Sequence, residues 1–66
     1  MTFEQVERNK DRIVDIIYCS ANGEFTQRRI KVVGVTKQQL YGYCYLRRQS
    51  RTFLIDRVLA WQPASV

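Results

Sequence analysis

A chain of 66 residues, 45% of them hydrophobic, holds one small core and is too apolar for a disordered tail, yet it buries only about 60% of the surface its unfolded form exposes. Its two cysteines, Cys19 and Cys44, match no metal-ligand spacing, so the usual staples of small domains, several disulfides or a zinc, are not expected, and extra stability is expected from self-association, from a partner or from a longer protein of which this is a relative. Before Phe25 three cations face five acids, while from Phe25 onward eight cations face Asp56 alone; such one-sided positive charge favours anionic partners.

Six of those eight cations are arginine, which suits bidentate phosphate contact and stacking better than lysine does. The competing explanation is a solvated, solubilising surface. The chain opens with polar residues and shows no signal-peptide pattern. No apolar run approaches the roughly 20 residues needed to cross a bilayer. A reduced, cytoplasmic setting is the expectation.

Thr2 and Gln5 fit a capping box, with Phe3 and Val6 three apart on one face, which predicts a short helix over residues 2–10. That helix is too short to stand alone, so Phe3 and Val6 are expected to pack on the open end of a sheet. Residues 12–20 alternate as a strand, Val14, Ile16 and Tyr18 pointing one way and Ile13, Asp15, Ile17 and Cys19 the other. Asn22-Gly23 signals a hairpin, with residues 24–33 as the return strand. A two-residue loop would set Ile16 opposite Arg29. A three-residue loop, Ala21-Asn22-Gly23, instead sets Val14 opposite Ile30 and Asp15 opposite Arg29, pairing apolar with apolar and acid with base. The second register is predicted.

Residues 34–37 read as a connection, residues 39–46 as a third strand, residues 51–56 as a fourth, and residues 58–61 as a short fifth strand that closes the sheet. Gly42 in mid-strand marks a bend or the close approach of another backbone or ligand. Residues 63–66 read as a fraying tail. The pattern is mainly β, a small antiparallel sheet of four or five strands curled into a barrel behind a short N-terminal helix, and closure would remove the exposed edges.

The chemistry concentrates between Leu40 and Val58, where two β-prone runs flank a turn at Arg47-Arg48-Gln49-Ser50. In a continuous strand Arg51 and Arg57 share a face with Phe53 and Ile55, which suggests a pocket rimmed by cations. Against this stand snorkelling to water and, for Arg57, a structural pair with Asp56 or Asp15. Tyr41, Tyr43 and Tyr45 alternate onto one face, as a base-stacking platform or as cover for a core or interface. Tyr43 is assigned to the ligand, and Tyr41 and Tyr45 to packing. Arg29 and Lys31 share a strand face and extend a phosphate track or simply a solvated one. Cys19 and Cys44 read as small buried residues, and Trp61 as a core or interface plug. With no histidine, no nucleophile beside a base, no glycine-rich phosphate loop and no paired carboxylates, an enzyme is not expected. Asp56 reads as a brace for its neighbour, and neither a metal nor a cofactor is implied.

Ile16-Ile17-Tyr18, Gly23-Glu24, Thr26-Gln27-Arg28, Gly42-Tyr43-Cys44-Tyr45-Leu46-Arg47 and Arg51-Thr52-Phe53-Leu54-Ile55-Asp56-Arg57-Val58 together resemble the WYL domain, a ligand-sensing module of bacterial transcription regulators. The resemblance covers roughly residues 12–58. It implies an Sm-like, SH3-type barrel and an anionic ligand, single-stranded nucleic acid or a nucleotide, held by arginines and aromatics. By position the roles fall on Arg28, Tyr43, Arg47, Arg51 and Arg57, with Arg29, Lys31, Arg48 and Asp56 as secondary contacts. The naming tripeptide falls at Gln38-Gln39-Leu40, where only the leucine matches, and Val32 stands where the family carries proline. The family also attaches the domain to a winged helix-turn-helix, for which 66 residues leave no room. The expected function is thus a free-standing, non-enzymatic regulatory module that binds nucleic acid or a nucleotide. The alternative is a protein-interaction or homo-oligomeric assembly module without a nucleic-acid ligand.

Overall fold

In the computed structural model, which describes residues 1–64, helix α1 (Phe3–Arg8) precedes five strands. These are β1 (Ile13–Cys19), β2 (Phe25–Val35), β3 (Gln39–Cys44), β4 (Gln49–Leu54) and β5 (Val58–Pro63), with one 3-10 turn over Ile55–Arg57 between the last two. Every pairing is antiparallel and the strands lie in one sheet in the order β4-β3-β2-β1-β5. The domain is mainly β with a short N-terminal helix, as the residue pattern predicts.

Helix α1 starts where its capping box requires. The Gln5 N–H donates to Thr2 Oγ1 at 3.2 Å, and the Thr2 N–H donates to Gln5 Oε1 at 3.0 Å. The helix ends at Arg8, short of Lys10, because Asn9 caps it; the buried Asn9 amide donates to the Gln5 carbonyl at 2.7 Å. Asp11, at a φ of 66°, then swings the chain onto β2, and its N–H reaches the Val32 carbonyl at 2.7 Å. Of the two apolar residues expected to pack, Val6 is fully buried and Phe3 is 37% exposed. One buried side chain is a thin anchor for a helix of six residues.

The first hairpin has the three-residue loop and the predicted register, with Val14 opposite Ile30 and Asp15 opposite Arg29. Ser20 and Glu24 close the loop through a 2.8 Å backbone bond. Gly23 supplies a φ of 86°, a conformation costly for any residue with a Cβ. Inward positions of successive strands then build the core: Val14, Ile16, Ile30, Val32, Leu40, Cys44 and Phe53 are buried together with Val6, Ile55 and Val58. The sheet curls until β1 meets β4. Tyr18 stands edge-on to Phe53 with centroids 5.1 Å apart, and its hydroxyl accepts the Leu54 N–H at 3.0 Å.

Three expectations about the connections are corrected. Strand β2 continues to Val35, past the expected end at 33, with a bulge between Val32 and Gly34. Strand β3 stops at Cys44 and β4 starts at Gln49. The tight turn is therefore residues 45–48, two earlier than the arginine-rich tip expected from composition, and Arg48 takes a left-handed φ of 56° there. Finally β5 does not close the sheet. The 3-10 turn carries the chain across the end of the barrel and lays β5 on β1, with Ile16 opposite Trp61 and Val14 opposite Pro63. Among the described residues no ladder joins β4 to β5, so both remain edges. Pro63 fits an edge because it has no N–H to leave unpaired. The Ala64 N–H still bonds to the Ile13 carbonyl at 3.0 Å, so the expected tail does not begin at 63; Ser65 and Val66 lie outside the described residues. No helix among those residues is long and apolar enough to cross a membrane.

Candidate nucleic-acid interface

Arg28 occupies an inward position of β2, two residues before Ile30, and is half-buried. Its Nε donates to Thr26 Oγ1 at 3.2 Å, its Nη1 to Cys44 Sγ at 3.7 Å, and its guanidinium carbon lies 5.9 Å from the centre of the Phe53 ring. A cation placed this way is held by the ring face and by sulfur. Burial pushes the Cys44 thiol up, but the backbone N–H groups of Arg47 and Leu46 and the Arg28 guanidinium outweigh it and hold the thiol below its ordinary value.

Arg57 is also half-buried, and its Nη1 donates to the Ser20 carbonyl at 3.0 Å. The expected continuous face from Arg51 to Arg57 does not exist, because β4 ends at Leu54 and the 3-10 turn breaks the alternation. Nor does Arg57 pair with Asp56 or Asp15; Asp15 belongs to Arg29, and Asp56 is exposed. Arg51 is exposed on edge strand β4 opposite Gly42, while Arg47 and Arg48 are exposed in the turn. Arg28, Arg51 and Arg57 therefore do not surround one hollow with Tyr43, which lies on the other face of the sheet.

That outward face brings different residues together. Lys31 of β2 stands directly opposite Tyr43 of β3, which stands opposite Ser50 of β4. One ladder step away, the Tyr45 N–H bonds to the Arg29 carbonyl at 3.1 Å, so Arg29 and Tyr45 are neighbours as well. The Tyr43 and Tyr45 rings meet edge to face, 5.2 Å apart at 78°. Tyr41 lies on the same side and its hydroxyl donates to Gln39 Oε1 at 3.0 Å. Tyr45 is 42% and Tyr41 38% exposed, whereas Tyr43, flanked on both sides by strands, is half-buried.

Arg29 makes a two-pronged contact with Asp15, Nε to Oδ1 at 2.8 Å and Nη2 to Oδ2 at 3.1 Å. That hydrogen-bonded pair holds the Asp15 carboxyl below the usual carboxylate range and raises Arg29 further. Asp15, Gln27, Arg29, Tyr45 and Leu46 line a shallow depression. It adjoins a smaller cavity of about 180 Å³ lined by Asp15, Ile16, Ile17, Gln27, Ala60, Trp61 and Gln62. Gln27 and Leu46 escaped the sequence analysis because neither type signals a site by itself; only the β1–β2 register and the true position of the turn bring them to it.

No protein-family model and no curated protein matches this chain.

Exposed cations stand beside tyrosine rings on a regular sheet face, a combination that serves phosphates and stacked bases at once. Among the described residues no three His, Cys, Asp or Glu side chains gather as metal ligands would.

Proposed function

We propose that this chain is a non-enzymatic, WYL-like regulatory module that binds single-stranded nucleic acid on the outward face of β2 and β3 and on the turn at residues 45–48. The observation that carries the proposal is the pairing of Lys31 with Tyr43 and of Arg29 with Tyr45 across neighbouring strands. Bases stack on Tyr43 and Tyr45, while Lys31, Arg47 and Arg48 contact phosphates. Arg29 is half committed to Asp15 and is the weaker phosphate ligand. The resemblance to WYL domains supports an anionic ligand and includes Tyr43 and Arg47. Under this proposal Arg28 and Arg57 act in the fold, because their guanidinium groups already hold Thr26, Cys44 and Ser20.

The test is fluorescence anisotropy with a short labelled DNA or RNA single strand. Tyr43→Ala and Tyr45→Ala should each lose about 1–3 kcal/mol of binding, the usual value of one base stacked on an aromatic ring. Lys31→Glu should weaken binding as well, and by more than Lys10→Glu, a residue the proposed contacts do not include. Equal effects at Lys31 and Lys10 would mean that the net charge attracts the strand and that no defined face receives it.

A further inference from the structure

Phe25 is the most exposed of the large apolar side chains, at 68%, and the proposed nucleic-acid surface does not use it. It opens β2 opposite Cys19 of β1, on the same outward side as Gln27 two residues later. Gln27 is one wall of the 180 Å³ cavity, with Ile17 and Ala60 as others. The hollow lies where Ala60 of β5, offering only a methyl group, stands opposite Ile17. Ile17 is 42% exposed, and Leu59, next to Ala60, is 55% exposed. A cavity of about 150 Å³ in a protein accepts benzene, so this one is of the right size for a phenyl ring.

We propose that this face is a self-complementary dimer interface in which the Phe25 ring of each copy enters the cavity beside Ala60 of the other. A two-fold contact requires projection and hollow on one patch, because every residue meets its counterpart's neighbour. Phe25 and the cavity satisfy that requirement within two residues of β2; a foreign partner would need only one of them. Charge agrees. Cys19, Ile17, Phe25, Leu59 and Ala60 are uncharged, and the one acid in the cavity wall, Asp15, is already matched by Arg29. The charge next to the ring in sequence is the acid Glu24, and Arg29, the cation of the adjoining depression, is already paired with Asp15. A domain this small also gains more than most from apolar burial outside its own core. The proposal stands independently of nucleic-acid binding.

Sedimentation equilibrium of the full chain, from about 1 μM to about 1 mM, should show a concentration-dependent monomer–dimer equilibrium. Phe25→Ser removes the projection and Ala60→Leu fills the hollow. The two-fold axis repeats each loss, so either change should raise the dissociation constant about 100-fold or more. Both positions are exposed, and circular dichroism would confirm that each variant is folded. An equimolar mixture of the two variants supplies the decisive reading: one intact ring then meets one intact cavity, and the mixture should associate more tightly than either variant alone. A wild-type chain that stays monomeric throughout, a dimer indifferent to Phe25→Ser, or a mixture no tighter than its components would overturn the proposal.

Discussion

Gly42→Ala sets two effects of opposite sign against each other. Gly42 is buried in the middle of β3, between Val32 of β2 and Arg51 of β4. Its backbone does not lie at positive φ, so chain entropy alone predicts that alanine stabilises the fold by about 0.4–1 kcal/mol. The neighbours predict otherwise. A Cβ at Gly42 would lie 2.9 Å from the Lys31 carbonyl oxygen and 3.5 Å from Ile30 Cδ1. The first distance is far inside ordinary contact, and the atom it meets is backbone, which cannot rotate away as a side-chain end would. Overpacking of this kind costs about 1–3 kcal/mol, so the net expectation is a loss of about 1–2 kcal/mol once the entropic gain is subtracted. For a domain of this size each kcal/mol moves Tm by about 4–8 °C. Thermal unfolding followed by circular dichroism should therefore show Gly42→Ala melting roughly 5–15 °C below wild type. A variant that melts at or above the wild-type temperature would refute the close approach of β2 to β3 at this point. It would also remove the reason for a glycine beneath the Lys31–Tyr43 pair.

Two further outcomes follow from the hydrogen bonds. Asp15→Asn should be less stable than wild type at pH 7, in urea denaturation, and the difference should fade in acid. The Asp15 carboxyl titrates lower when folded than when unfolded, so its contribution is complete above about pH 4 and vanishes as pH falls through the depressed folded value. A difference that persists unchanged at low pH would show that the Arg29 ion pair is not its source. Arg57→Met removes the bond to the Ser20 carbonyl while keeping most of the side-chain stem, and should cost about 1–3 kcal/mol. An unchanged denaturation midpoint would return Arg57 to the list of residues available to a ligand.

Local chemistry was legible wherever neighbours in sequence decide it. The Thr2–Gln5 box, the Asn22-Gly23 loop and the pairing of Asp15 with Arg29 all follow from residue type and spacing, and the last fixes the register of the first hairpin. The end of β4 was not legible. Phe53, Ile55 and Arg57 keep a period of two through a segment that is strand only as far as Leu54, and periodicity cannot reveal a 3-10 turn that preserves burial of Ile55. The 45–48 turn was misplaced for a related reason. Arginine and glutamine mark solvent exposure, but the turn lies between the end of β3 at Cys44 and the start of β4 at Gln49, with Arg48 in the left-handed region, which composition does not announce. Which arginines are free depends on tertiary contacts with the Phe53 ring, Cys44 and the Ser20 carbonyl, all more than ten residues away from the arginine concerned or across the barrel from it. That is why the proposed contacts lie on the outward face and exclude Arg28 and Arg57.

The most direct test of that face is the salt dependence of binding to a short single strand. With Lys31, Arg47 and Arg48 as the phosphate contacts, a plot of log affinity against log salt should be linear with a slope of about −2, which is 0.7 per neutralised phosphate. The slope should become shallower by about 0.7 in Lys31→Ala. No measurable binding at low salt, or an affinity that ignores salt and Lys31 alike, would contradict the account.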